Sequence, residues 1–154
     1  MRIRPATPGD LPRVRDLFGA LHAYNATFGS HFQLSPNWPA LLEERFARTV
    51  DASDHLWALA WDDDEAVGLI VGEHHDDPPI FGGRPWFELS SLFVRPSHRR
   101  HGVAHLLVEY FEAWARAHGY DTVQLYVSAA NADARAFYAR QGYAPAQEIW
   151  RKEL

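Results

Sequence analysis

Residues 92–104 read Leu92-Phe93-Val94-Arg95-Pro96-Ser97-His98-Arg99-Arg100-His101-Gly102-Val103-Ala104. An apolar strand ends, a short loop turns, and a long helix begins at Gly102 or Val103. The first turn of a helix leaves several backbone N–H groups unpaired and carries partial positive charge, so it suits a phosphate. Gly102 removes the side chain where a ligand approaches the backbone, and Ala104 keeps the next exposed position small. His98, Arg99, Arg100 and His101 gather basic groups at one point of a chain whose formal net charge is −5. Taken alone, the stretch is more readily a loop with a capping glycine and a solvated basic cluster. A Walker-type phosphate loop is disfavoured because no Gly-Lys-Ser/Thr follows. The dinucleotide fingerprint is also absent, since only one of its three glycines is present.

The helix that follows predicts itself over Val103–His118. Val103, Leu106, Leu107, Tyr110, Phe111 and Trp114 fall on one helical stripe, and Gly119 stands where a left-handed cap belongs. Thr122–Val127 then alternates Val123, Leu125 and Val127 on one face, as a strand does. Asn131 is placed to cap a further helix running to Gln141, which Gly142 ends. That segment reads Asn131-Ala132-Asp133-Ala134-Arg135-Ala136-Phe137-Tyr138-Ala139-Arg140-Gln141-Gly142-Tyr143.

The two stretches together resemble the GNAT superfamily of N-acetyltransferases. Arg99, Gly102 and Ala104 match its Arg/Gln-x-x-Gly-x-Gly/Ala acetyl-CoA motif. Asn131, Ala134, Phe137, Tyr138, Gly142 and Tyr143 match its Asn-x-x-Ala-x-x-Phe-Tyr-x-x-x-Gly-Phe/Tyr signature. The resemblance implies a cofactor site in which the backbone amides of Arg100, His101, Gly102, Val103, Ala104 and His105 hold a pyrophosphate, assisted by the side chain of Arg99 or Arg100. It implies that Leu92, Phe93 and Val94 pair with the pantetheine arm where two strands splay apart, and that Asn131 contacts the cofactor near it. Edge pairing of that kind uses backbone groups.

The resemblance further implies catalytic roles for Tyr138 and Glu88. Tyr138 would protonate the departing thiolate, since a phenol with pKa near 10 is protonated at neutral pH. Its bland alternative is a core tyrosine that hydrogen-bonds a carbonyl. Ser90 and Ser91 occupy the neighbourhood where many relatives carry a carboxylate. Glu88 lies two residues before Ser90 and shares its face in a regular strand, though a bulge would break that parity. Base, amine anchor, solvated carboxylate and water relay all stay open there.

The remaining chain completes an α/β order. Arg2–Arg4 reads as a strand, and Thr7-Pro8-Gly9-Asp10 as a helix start followed by Leu11, Val14, Leu17, Phe18 and Leu21. A second helix is expected over Pro39–Val50, and strands over Leu56–Trp61, Ala66–Glu73 and Trp86–Val94. His74–Pro85 is expected to be a loop and Tyr143–Leu154 one or two closing strands. The resemblance implies a mixed, mostly antiparallel sheet of six to seven strands flanked by about four helices, splayed between the fourth and fifth strands, in one domain over 1–154.

Composition bounds the partners. The 154 residues are 47% hydrophobic and 23% charged, ordinary for a folded chain. There is no cysteine, which excludes a cysteine-bound acyl intermediate and thiolate metal sites and fits a reducing, cytoplasmic setting. The acidic balance argues against a nucleic-acid binder, and no apolar run approaches the roughly 18 residues of a membrane span. Met1–Asp10 lacks the apolar core of a signal peptide. His74-His75-Asp76-Asp77 makes a poor metal cage, so no metal is expected.

In the family implied, the segments His22–Pro39 and His74–Pro85 wall the acceptor site. Their aromatics and carboxylates suit the primary amine of a small cationic molecule. The reaction implied is direct attack on acetyl-CoA with both substrates bound. A non-catalytic acyl-CoA sensor, or a protein N-terminal or lysine acetyltransferase, stays open, as does a homodimer formed through the closing strands.

Overall fold

The computed structural model describes residues 1–154. Its elements are β1 (Arg2–Pro5), α1 (Leu11–Asn25), α2 (Trp38–Thr49), β2 (His55–Asp62), β3 (Glu65–His75), β4 (Trp86–Val94), α3 (Val103–Ala117), β5 (Val123–Leu125) and α4 (Ala132–Arg140). The strands form one sheet in the order β1-β2-β3-β4-β5, antiparallel except for the β4–β5 pair.

Both faces of the sheet are covered, which is why β2 and β3 read as nearly continuous apolar runs. On one face, Val14, Leu17, Leu42 and Phe46 of α1 and α2 pack on Trp57, Leu59, Leu69, Val71 and Phe93. On the other, Val103, Leu107, Val108 and Phe111 of α3 pack on Ala58, Ala60, Val67, Ile70, Phe87 and Leu89. Phe46 meets Trp57 edge-on at 5.1 Å between ring centroids. The Trp57 indole donates to Thr49 Oγ1 at 2.9 Å, and that hydroxyl donates to the Arg45 carbonyl at 2.7 Å. The polar atoms of Trp57 and Thr49 are thereby satisfied, whereas the indole nitrogen of Trp61 in the same core has no partner. Gly72 is dictated by packing: a Cβ there would lie 2.3 Å from Phe87 and 2.7 Å from Phe111.

The stripe that α3 buries is rotated from the expected one. Val103, Leu107, Val108, Phe111 and Ala115 are buried, whereas Leu106 is exposed and Tyr110 and Trp114 are half-buried. Tyr110 and Trp114 still pack against this core from its margin, Trp114 stacking on Phe87 at 4.6 Å between ring centroids.

One β-bulge organises β4. Val71 pairs with Ser91 and Gly72 with Leu89, leaving Ser90 as the extra residue. Before it, Phe87 and Leu89 face α3; after it, Leu92 and Val94 do, while Phe93 faces α1 and α2. Glu88 is therefore in phase with Ser91 and Phe93, not with Ser90 as an unbroken strand would have it.

The sheet has five strands, not six to seven. Tyr143–Leu154 forms no strand; Ile149 and Trp150 stay exposed, and the closing strands expected to support a homodimer are not made. Pro145 lacks the N–H a ladder would need, and the apolar residues of this tail are too few to alternate along a buried face. β5 is likewise shorter than expected, leaving Tyr126 and Val127 exposed. β3 runs on through His74 and His75, which the sequence reading assigns to a loop. No helix is long and apolar enough to cross a membrane.

Candidate active site

The turn between β4 and α3 carries an unusual run of free donors. Arg100 and Gly102 both have left-handed backbones, with φ of 64° and 81°. None of the N–H groups from Arg100 to His105 bonds to a carbonyl or side chain of the chain; the first helical pairing here is Leu106 N–H to the Gly102 carbonyl at 3.0 Å. Arg100, His101, Gly102 and His105 are exposed, so no other segment lies over the turn. Successive N–H groups in mixed right- and left-handed conformations form an anion-binding concavity. A Cβ on Gly102 would meet nothing within 4 Å. Within the chain, then, what requires glycine here is the backbone angle and not the packing of a neighbour.

The side chains around this turn are unequally committed. Arg99 donates Nε to the Val94 carbonyl at 3.0 Å and lies over the rings of Tyr24 and Phe93. His105 bonds Gln141 at 2.7 Å, tying α3 to the end of α4. Val103 is buried, so only its backbone faces the turn, and Ala104 packs against the α3 core.

Beside the turn, β4 has a free edge. Its pairing with β5 covers only Phe87↔Val123, Glu88↔Gln124 and Leu89↔Leu125. From Ser90 to Val94, which includes Leu92 and Phe93, β4 has no strand on that side. The splay begins at the bulge.

Asn131 and Tyr138 sit at opposite ends of α4. Asn131 Oδ1 accepts the Ala134 N–H at 3.1 Å, the capping bond its position implied. Tyr138 packs edge-on against Phe137 and Tyr143, at 5.2 and 5.7 Å. Its hydroxyl bonds to no group of the chain yet is not sealed from solvent, so the carbonyl-bonded core tyrosine is not what is found. Burial pushes the phenol above its ordinary pKa, which keeps it protonated at neutral pH.

Glu88 is nearly buried and faces a polar cluster on the α2 side of the sheet. The register sets Glu73 opposite Glu88 and His75 opposite Trp86. Trp86 donates to Glu88 Oε2 at 3.3 Å and stacks on His75 at 5.6 Å. His75 Nε2 lies 3.8 Å from Glu88 Oε1 and 3.9 Å from Glu73 Oε1. Arg45 of α2 holds Glu73 Oε2 at 3.0 Å. Ligating atoms of Glu73, His75 and Glu88 lie within 4.8 Å of one another, but Arg45 already supplies the cation that Glu73 needs. His74, one residue earlier, faces the other way onto Tyr120 at 2.9 Å and Asp76 at 2.7 Å. The four-residue His-Asp run is thus divided between two faces. Trp86 and Arg45 were not singled out in the sequence, and His75 was considered only as a loop residue of the His-Asp run; the signal for its place on the sheet was the period-two pattern of β3 continuing past Glu73.

Two cavities flank the site on the segments expected to wall an acceptor. One of about 320 Å³ lies between α1 and the α1–α2 segment, lined by His22, Leu34 and Trp38 among others. Burial holds His22 below its ordinary pKa, with Arg45 adding to the effect. The other, about 440 Å³, has Trp86 in its wall together with Asp77, Gln124 and Tyr126. Trp86 thus joins this second cavity to Glu88.

Comparison with known proteins shows the fold and the family. A solved mutant of the BH1408 protein from Bacillus halodurans superposes with a TM-score of 0.88 at 25% identity, over 100% of this chain and 99% of that one. An aminoglycoside N-acetyltransferase, AAC(6')-Iy in complex with CoA, shares the fold with a TM-score of 0.80 at 20% identity, over 99% and 95% of the two chains. Human N-acetyltransferase 8 is 33% identical over 85 residues, 55% of this chain, and the match spans only 37% of that protein. The sequence profile of the acetyltransferase (GNAT) family matches residues 19–143. The chain belongs to the GNAT acetyltransferase family.

Proposed function

We propose that this protein transfers an acetyl group from acetyl-CoA to the primary amine of a small cationic molecule, by direct attack with both substrates bound. The observation that carries the reading is the exposed run of free N–H groups from Arg100 to His105, set at the start of α3 and beside an unpaired strand edge. Those amides would hold the CoA diphosphate, with Arg99 or Arg100 assisting. The backbone of Leu92, Phe93 and Val94 would align the pantetheine arm. One carbonyl is partly committed, since Val94 O already accepts from Arg99. Asn131 keeps its side-chain NH₂ for the cofactor while its oxygen caps α4.

Tyr138 would give its proton to the thiolate as the thioester carbon–sulfur bond breaks. The incoming amine must be neutral to attack, because an alkylammonium has no lone pair. Glu88 would take that proton, and the cavity beside Trp86 would seat the acceptor, its wall offering the rings of Trp86 and Tyr126 to a cation while the charges of Asp77 and Arg84 offset one another. Structural neighbours are named for both kinds of acceptor, an aminoglycoside and a ribosomal protein, so the preference for a small molecule rests on the cavity beside Trp86. The lack of cysteine supports a cytoplasmic setting.

Calorimetry with CoA on the wild type and on Gly102→Glu, combined with thiol release across a panel of small amines, tests the reading. Binding that collapses in Gly102→Glu, with thiol released by at least one amine, is expected. Equal binding by the two proteins would place the diphosphate elsewhere. Tight binding with no thiol release from any amine would favour the sensor.

A further inference from the structure

The polar cluster on the α2 side of the sheet contains one atom with no explanation in the fold. His75 Nε2 is sealed from solvent and has no hydrogen-bond partner, although the ring's outer edge is open and the side chain is 40% exposed. This nitrogen points between two carboxylate oxygens, Glu88 Oε1 at 3.8 Å and Glu73 Oε1 at 3.9 Å. A bare lone pair aimed at two anions is the least favourable state of the ring. An N–H in the same place is attracted to both. The other side chains facing the cluster are Arg45, on Glu73 Oε2 at 3.0 Å, and His55, 4.0 Å from the same oxygen. Glu73 is therefore already provided for. Glu88 has one donor on Oε2, the indole of Trp86, and needs a second on Oε1.

We propose that His75 is a positioning residue for Glu88: its ring carries the proton on Nε2 and holds Oε1, while Trp86 holds Oε2. The inference rests on the assignment of Glu88 as the group that receives the acceptor's proton. A carboxylate gripped at both oxygens keeps one orientation, whereas an ungripped one turns about its Cγ–Cδ bond. The separation of 3.8 Å is longer than a formed hydrogen bond, and such contacts shorten when substrate fills a site. The stack of Trp86 on His75 gives the arrangement its rigidity, since each ring fixes the other's plane.

Two variants separate this role from simple packing. His75→Phe keeps a ring to stack on Trp86 and removes the donor, whereas His75→Gln keeps an amide N–H of similar reach. With an amine that the wild type acetylates, His75→Phe is expected to lower kcat about tenfold with KM for acetyl-CoA unchanged. His75→Gln should stay within about threefold of wild type. In a Glu88→Gln background, His75→Phe should cost nothing further, because the residue acts through the carboxylate. Wild-type rates in His75→Phe, no recovery in His75→Gln, or a loss that adds fully to that of Glu88→Gln would each overturn the proposal.

A second measurement does not depend on turnover. Nitrogen-15 NMR of the unliganded protein should find the neutral His75 ring protonated on Nε2, and a ring protonated on Nδ1 alone would sink the idea even if no amine is ever acetylated. Wild-type activity retained by Glu88→Gln would instead remove Glu88 from the chemistry, and the role inferred for His75 with it, while leaving the acetyl-transfer reading standing.

Discussion

Arg99 Nε donates to the carbonyl of Val94 at 3.0 Å, so the turn that follows β4 is closed back onto the last residue of that strand. The same guanidinium lies 5.3 Å from the centre of the Tyr24 ring, at the end of α1. One side chain thus fastens the free-amide turn to the strand and to the first helix. Truncating it in Arg99→Ala is expected to raise the CoA dissociation constant about tenfold, or about 1.4 kcal/mol. Arg99→Lys should recover only part of this, because lysine lacks the planar fork. Calorimetry reads both, and wild-type affinity in Arg99→Ala would show that the clamp is dispensable.

Gly102 separates backbone from charge. Its φ of 81° penalises any side chain, yet a Cβ there meets nothing. Gly102→Ala should therefore cost about 1–2 kcal/mol of stability, a melting temperature lower by several degrees, with CoA affinity held within about threefold. Loss of binding in the alanine variant comparable with that in Gly102→Glu would mean that the cradle has no tolerance for a methyl group.

Tyr138 bonds to nothing in the chain through its hydroxyl, so removing that oxygen leaves no partner unsatisfied. Tyr138→Phe should melt within about a degree or two of wild type and bind CoA as well. Thiol release should fall by about 10²-fold, the scale of general acid catalysis. Undiminished release with a good acceptor would remove Tyr138 from the reaction.

Asp10 anchors the other end of the molecule. It accepts from both nitrogens of the Arg4 fork, at 2.8 and 3.1 Å, and from the Thr7 N–H and hydroxyl. The Arg4 hydrogen bond chiefly, against the cost of burial, holds its pKa at about 2. A carboxyl lowered on folding stabilises fully above its unfolded value, near 4, and loses that contribution as pH falls towards 2. Asp10→Asn should cost on the order of 1–2 kcal/mol at pH 7. The gap should narrow between about pH 4 and pH 2 in urea titrations. A gap independent of pH would assign the cost to packing.

Much of this architecture was legible because the chain signals it locally. The start of α3 and the bounds of β4 follow from periodicity and punctuation, and Asn131 caps α4 as its position suggests. The phase of Glu88 was not legible, because one extra residue at Ser90 reverses which side chains point where, and no composition marks it. The cluster of His75, Trp86 and Arg45 was hidden for a related reason. It is assembled by register across three elements, and register is a long-range property. The closing strands fail because Pro145 interrupts a ladder and too few apolar residues alternate along the tail.

The bulge at Ser90 inserts one residue between two halves of β4 that already agree on which face is apolar. Deleting it would place Ser91 directly after Leu89, and Phe87, Leu89, Leu92 and Val94 would all still face α3. What the deletion would remove is the local bend, at the very point where β4 parts from β5. Ser90 thus serves the course of the strand and the opening beside it, and the core would be filled as well without it.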